Sequence, residues 1–414
     1  MKNILLILLS VLFLFSCGKE TSDLKTSFDD TEVPELGMTE KELYDKILGT
    51  LVGSAIGDAM GAPTEMWSRE NIQLEYGFID GLDSMVREVS PEGIWIANLP
   101  AGGTTDDTRW KMLTSTYLLS QNKTELDSKD FAKHILKTYK GYVDEFSEIK
   151  GIDPEPFEAA ALKMGWLQEW AKVSQPFIDE NLIAYSDSLN KFYGGEMVCA
   201  GLLYAPAIGA YFPGNPEKAY QEAYKLSIFD LGYARDLTGL AAAMTSAGMK
   251  RGSTKEDLLA ALRLDPQGYF ESRLVGRTAH KLLKEALFIT EESSKKDSLG
   301  NQLLPNSLAL QFAFAQLDLK QQDMPFHAGE IYLQTITAMI FADFDFMGTL
   351  IFLTNYGRDN DTTAAVAGGI LGAFYGFENL PKAEREKVIK VNKEILGTDL
   401  EKMASDLTAH LIGR

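Results

Sequence analysis

Thiols and imidazoles are scarce in this chain, with two Cys and four His among 414 residues. Apart from Cys17 the only cysteine is Cys199, so no intramolecular disulfide is expected. One spare Cys and the four His show no ligand spacing, which argues against a zinc ribbon or thiol chemistry. Cys199 lies in an apolar run and is expected as a buried, inert thiol. Positive charge is also short. Lys and Arg total 40 against 59 Asp and Glu, a formal charge of −19, with no basic block or aromatic-basic stripe. That balance argues against nucleic acid as a partner and against electrostatic adhesion to anionic lipid. Strand-like alternation is rare, its best case being a short piece from Met85 to Val89. No repeat of fixed period is present.

The most continuous apolar run, Ile4 to Phe15 after Lys2, is shorter than the about 20 residues a membrane span needs. It is expected to be a signal peptide over residues 1–16. Its end, Leu14-Phe15-Ser16-Cys17, resembles a bacterial lipobox, with cleavage before Cys17 and lipid on its sulfur. An ordinary secretory signal with Cys17 incidental is the other reading. Lipidation would anchor the protein without spanning the bilayer. Residues 17–38, polar and without helical periodicity, are expected to form a flexible tether. The implied location is the bacterial cell envelope, periplasmic or surface-facing, with lipid as the sole membrane contact.

Residues 39–414 show no internal linker and are expected to fold as one helical domain with a sizeable core. Thr39-Glu40-Lys41-Glu42 fits a capping box and opens the stripe Leu43, Ile47, Leu48, Leu51, Val52, Ala55, Ile56. Gly49, Gly53, Gly57 and Gly61 recur every fourth residue in it, and Gly368, Gly372 and Gly376 repeat the device. Each helical glycine costs about 1 kcal/mol against Ala, so two in-register sets predict two central helices packed at short distance. Helical patterns also run over Phe131 to Val143, Phe157 to Ala171, Met197 to Ile208, Pro216 to Leu226 and Leu237 to Met249. They continue over Lys255 to Leu262, Gly276 to Phe288, Asn306 to Gln316 and Ile331 to Ala342, while Glu291 to Gly300 looks like an exposed loop. The fold class is therefore all-α, a compact bundle of about a dozen or more helices.

Two acidic clusters stand at loop-to-helix junctions. Thr104-Thr105-Asp106-Asp107-Thr108 follows the loop Ala101-Gly102-Gly103 and precedes a helical pattern through Trp110, Leu113, Tyr117 and Leu118. Gly357-Arg358-Asp359-Asn360-Asp361-Thr362-Thr363 precedes the small-residue run Ala364 to Gly376. Helix capping accounts for one Asp and one Thr of such a cluster but not both pairs. An EF-hand does not fit, since Ala364 stands where its loop needs Gly and Ile370 where it needs Glu. Asp and Thr are hard oxygen ligands suited to magnesium, manganese or calcium, and four Asp from two junctions could hold a pair of such ions.

Three residue groups, in order, resemble the ADP-ribosylglycohydrolase family. Gly53-Ser54-Ala55-Ile56-Gly57-Asp58-Ala59-Met60-Gly61-Ala62-Pro63-Thr64-Glu65 is similar to its opening motif. Thr105-Asp106-Asp107-Thr108 and Gly357-Arg358-Asp359-Asn360-Asp361-Thr362 are similar to its two acidic motifs. The resemblance implies an all-α fold with a central binuclear cleft and two divalent cations, Mg²⁺ or Mn²⁺. It implies Thr105, Asp106, Asp107, Asp359, Asp361 and Thr362 as metal ligands and Glu65 as the catalytic acid or base. Asp58 is open between a ligand-side role and a helical Asp bonding nearby groups.

The middle departs from the family pattern. Where many members carry a Gly-Asn-Gly loop and an Arg that embrace the pyrophosphate or distal ribose, this chain reads Phe192-Tyr193-Gly194-Gly195-Glu196-Met197-Val198. Gly194 and Gly195 are the substrate-binding candidates, Glu196 would repel a phosphate, and Asp230 and Asp236 have no assigned role. The implied activity is metal-dependent hydrolysis of a glycosidic bond at the anomeric carbon of an ADP-ribosyl or related ribosyl substrate, small or protein-linked. The alternatives are hydrolysis of a non-nucleotide glycoside, or a lipoprotein that binds sugar or ADP-ribose without turnover.

Overall fold

The computed structural model describes residues 27–121, 125–298 and 300–413. The expected signal peptide, Cys17 and the tether up to residue 26 lie outside the described residues. The last part of that tether belongs to the fold. Strand β1 (Glu32–Val33) pairs antiparallel with β2 (Met38–Thr39), and Val33 and Met38 are buried. Leu36 packs beside them, and the Phe28 ring stacks on Tyr44 with centroids 5.1 Å apart, so apolar contacts dock this segment.

Helix α1 (Glu40–Gly61) opens on the expected capping box. Glu42 N–H donates to Thr39 Oγ1 at 3.2 Å, and Thr39 N–H donates to Glu42 Oε2 at 2.7 Å. The chain then runs through α2 (Arg69–Glu75), α3 (Asp106–Leu119), α4 (Ser128–Glu148), α5 (Pro154–Ile178) and α6 (Leu182–Leu189). Next come α7 (Ala205–Tyr211), α8 (Pro216–Leu226), α9 (Ala234–Gly248), α10 (Lys255–Ala261), α11 (Thr278–Ser294) and α12 (Leu308–Asp318). The last five are α13 (Ala328–Phe341), α14 (Phe346–Tyr356), α15 (Asn360–Tyr375), α16 (Lys382–Glu394) and α17 (Leu400–Ile412). Among the described residues β1–β2 is the one sheet, so the chain is all-α.

Three local expectations differ from the structure. Met85 makes a single bridge to Leu99 in place of a strand, because Pro91 and Pro100 nearby have no N–H to extend a ladder. Val198 bridges His327, with Cys199 N–H donating to Phe326 O at 3.0 Å and Ala328 N–H to Met197 O at 2.9 Å. Those peptide groups are committed to another segment, so the helix starts only at Ala205, with Pro206 suited to its first turn. The Glu291 to Gly300 segment continues α11 as far as Ser294, where Ser293 is buried.

Helices α1 and α15 lie antiparallel at the centre. A Cβ on Gly53 would meet Gly368 O and stand 3.0 Å from Gly372 Cα, and one on Gly57 would run into the Ala364–Ala365 peptide. Ser54 Oγ donates to Ala365 O at 2.8 Å across the contact. At its far end Lys46 Nζ donates to Gly248 O (2.8 Å), Ala373 O (2.9 Å) and Phe374 O (3.2 Å), so one ammonium satisfies the last carbonyls of α9 and α15. The backbone contact brings the C-terminal end of α1 to the first turn of α15, where a Cβ on Gly61 would strike Asp361.

Candidate metal centre and active site

Two backbone distortions set the first half of the site. Gly357 (φ 86°) and Arg358 (φ 65°) turn the chain out of α14, and Met66 (φ 65°) sits opposite. Met66 N–H donates to Arg358 O at 2.6 Å and Arg358 N–H to Trp67 O at 3.1 Å. Positive φ at two non-glycine residues is strained backbone, held here by this two-bond bridge. The Arg358 guanidinium is locked by Glu330 (Nε at 2.8 Å, Nη2 at 2.9 Å) and by Gln322 O at 2.6 Å. Asn360 Nδ2 donates to Thr64 Oγ1 at 2.8 Å. These bonds fasten the Glu65 segment beside Asp359. Asp359 is the N-cap residue of α15, yet its side chain makes no capping bond.

The second half is set by Asp58, wholly buried in α1. Its carboxylate accepts from Thr105 N–H at 2.9 Å, Thr108 N–H at 3.0 Å and Thr108 Oγ1 at 2.6 Å. It thereby fixes the start of α3, so Asp58 positions the backbone that carries the Thr105 to Thr108 cluster. Thr105 Oγ1 lies 3.0 Å from Asp58 Oδ1 and 3.2 Å from Asp361 Oδ2, and Thr362 Oγ1 donates to Asp107 Oδ2 at 2.9 Å. The two clusters, distant in sequence, therefore meet. Oxygens of Glu65, Asp359 and Asp361 lie within 4.8 Å of one another, and so do those of Asp106, Asp107 and Asp361. Asp361 is common to both groups.

Crowded buried carboxylates bind protons more tightly than usual. Burial raises Asp359 to about 8, with Glu65 and Asp107 adding repulsion. Burial, then repulsion from neighbouring carboxylates, raises Asp361 and Asp106 well above the carboxylate range. Asp58 is raised to about 7 by burial and by Asp107. Lys111, buried and one turn along α3, stands 3.2 Å from Asp107 Oδ1. One ammonium does not offset this many carboxylates. Two oxygen-only groups of three, with a shared member and two flanking hydroxyls, suit hard divalent cations.

A cavity of about 90 Å³ opens beside the cluster, lined by Glu65, Asp106, Asp359, Asp361 and Thr362 on one side. Glu92, Trp170, Tyr193, Cys199 and Phe326 line it as well. Glu65 follows a short turn (Ala62–Thr64) and is ion-paired with Arg87, which also donates to Ala62 O at 2.9 Å. Gly194 and Gly195 are exposed and do not line this cavity; their neighbour Tyr193 does. Cys199 is buried, and burial pushes its thiol well up, consistent with inertness even in the cavity wall. Asp230 accepts from Gly201 N–H and Thr238 Oγ1, and Asp236 pairs with buried Arg277 at 2.6 Å, so both hold packing together. Nothing in the sequence marks Glu92 or Arg87, because the 79–105 segment has no periodicity to place them. A larger cavity of about 540 Å³, walled by Trp95, Tyr142 and Trp166, contains none of the five clustered carboxylates.

The helical architecture and the paired acidic junctions define a family, and the sequence agrees. The sequence model of the ADP-ribosylglycohydrolase family matches residues 39–414. The chain belongs to the ADP-ribosylglycohydrolase family. A solved structure titled "ADP-ribosylglycohydrolase-related protein complex" superposes with a TM-score of 0.54 at 19% identity, covering 89% of this chain and 98% of that one. That likeness establishes the fold. A local match, 50% identical over 36 residues, links the chain to uncharacterized protein YegU of Escherichia coli (strain K12). It spans 9% of this chain and 11% of YegU.

Proposed function

We propose that this protein is a metal-dependent hydrolase that cleaves the glycosidic bond at the anomeric carbon of a ribosyl-type sugar. The observation that carries this reading is the pair of acidic groups sharing Asp361 at the edge of a cavity. Thr105, Asp106, Asp107, Asp359, Asp361 and Thr362 would hold two divalent cations, Mg²⁺ or Mn²⁺. Bound there, such ions orient vicinal hydroxyls and lower the pKa of a water. Glu65 is the group that moves a proton, at its carboxylate oxygens, to or from the water or the leaving atom. Arg87 orients it through the ion pair, and Trp170 and Phe326 wall the reacting bond off from bulk solvent. Glu65 also stands in one of the acidic groups, so it is expected to touch a cation as well as the substrate.

Release of reducing sugar from a panel of ribosides, with and without chelator, tests this directly. Activity that persists after chelation, or in Asp361→Asn, sinks the metal-dependent reading. We further propose that lipid on Cys17 holds the enzyme at the cell envelope. Cys17→Ala should then abolish acyl labelling, and undiminished labelling removes the anchor.

A further inference from the structure

The hydrolase reading leaves open what the sugar carries, and the wall around the cluster narrows it. We infer that the enzyme selects a glycoside free of phosphate, and that Glu92 with Tyr193 is the selecting element. This rests on the hydrolase reading for the sugar's position at the acidic cluster.

Five carboxylates line the cavity (Glu65, Glu92, Asp106, Asp359 and Asp361), and no Lys, Arg or His is among its described lining residues. Two of the cations nearby are engaged elsewhere. Arg87 is paired with Glu65 and Ala62 O, while Arg109 donates to Glu92 O at 2.7 Å and Gly93 O at 2.6 Å and lies 4.0 Å from the Trp95 ring centroid. Even with two divalent ions bound, the carboxylates of cluster and wall, with Asp58 behind them, exceed the ions, Arg87 and Lys111 by one negative charge. No excess positive potential remains for a phosphate ester or pyrophosphate.

The wall itself is built from two side chains. Tyr193 takes a left-handed conformation (φ 45°, ψ 45°), its hydroxyl donating to Glu92 Oε1 at 3.0 Å and accepting from Trp170 Nε1 at 3.3 Å. Its ring meets Phe192 and Phe326 edge-on, with centroids 4.6 and 5.9 Å away. The phenol is thus held from three directions. Burial raises the affinity of Glu92 for a proton, but in either protonation state it supplies an anion with no cation. A neutral sugar hydroxyl, in contrast, can donate to the free Glu92 oxygen.

Matched ligands that differ in phosphate alone supply the test. Calorimetry on the full chain with Mg²⁺ would compare ribose with ribose 5-phosphate, and methyl ribofuranoside with ADP-ribose. The neutral member of each pair is expected to bind at least about tenfold tighter, the effect of about 1.4 kcal/mol. Glu92→Gln should shrink that ratio by raising affinity for the phosphorylated ligand, and Tyr193→Phe, which frees the carboxylate, should not. Equal or tighter binding of the phosphorylated member overturns the inference, as does a ratio unchanged in Glu92→Gln, or no binding by any of the four. Failure of metal-dependent cleavage on every riboside would instead overturn the hydrolase reading, leaving the binding ratios to be judged on their own.

Discussion

In the proposed mechanism, Asp361 and Glu65 divide the work of the site in a way that two substitutions separate. Asp361 belongs to both acidic groups and Glu65 to one, so Asp361→Asn should weaken cation binding at both positions in calorimetry. Glu65→Gln keeps a carbonyl oxygen but cannot transfer the proton, a loss of roughly 10²–10⁴-fold in turnover, with the larger part of metal affinity retained. Equal metal loss in both variants would make Glu65 a ligand and nothing more. Asp230 offers a pH test away from the cluster. Burial raises it from 3.8 to about 6, partly offset by the bonds from Thr238 and Gly201. A raised carboxyl favours the folded state below about 3.8, and that stability is lost as pH rises through about 6. The full effect is on the order of 3 kcal/mol. Asp230→Asn can still accept from Gly201 N–H and can donate to Thr238 Oγ1, so its melting temperature relative to the parent should rise between pH 4 and pH 7. Parallel melting curves across that range would show that Asp230 does not titrate there.

Helices α1 and α15 are the element on which the site depends, because their close approach carries Gly61 to Asp361. Gly53→Ala would place a methyl group against Gly368 O and Gly372 Cα, and backbone cannot rotate out of the way as a side chain can. The expected cost is at the upper end of about 1–3 kcal/mol for overpacking. Gly141 on α4 is exposed and a Cβ there meets nothing within 4 Å. Gly141→Ala should therefore stabilise by about 0.5–1 kcal/mol through backbone entropy and helix propensity. Urea titration of the two variants measures both; a neutral Gly53→Ala would mean the helices can separate without loss.

At the scale of the whole molecule, a cation shared by the starts of α3 and α15 should stabilise the fold. A ligand at a hundred times its Kd adds about 2.7 kcal/mol to stability. Mg²⁺ or Mn²⁺ should thus raise the melting temperature by several degrees, with no such rise in Asp361→Asn. An equal rise in that variant would locate the binding elsewhere. The molecule's helical class, its two glycine-lined central helices and the Asp106/Asp107 and Asp359/Asp361 junctions were all legible from the chain alone. Each is written in residues three or four apart, or in a cap beside its own helix, and local geometry follows from local spacing. The tie of Asp58 to Thr105 and Thr108, the pairing of Arg87 with Glu65, and the Glu92–Tyr193 wall were not legible. Those contacts join residues far apart in the chain or in irregular segments such as 79–105. Their meeting is decided by how closely α1 and α15 pack and by which backbone groups the strained turns at Met66 and Arg358 commit.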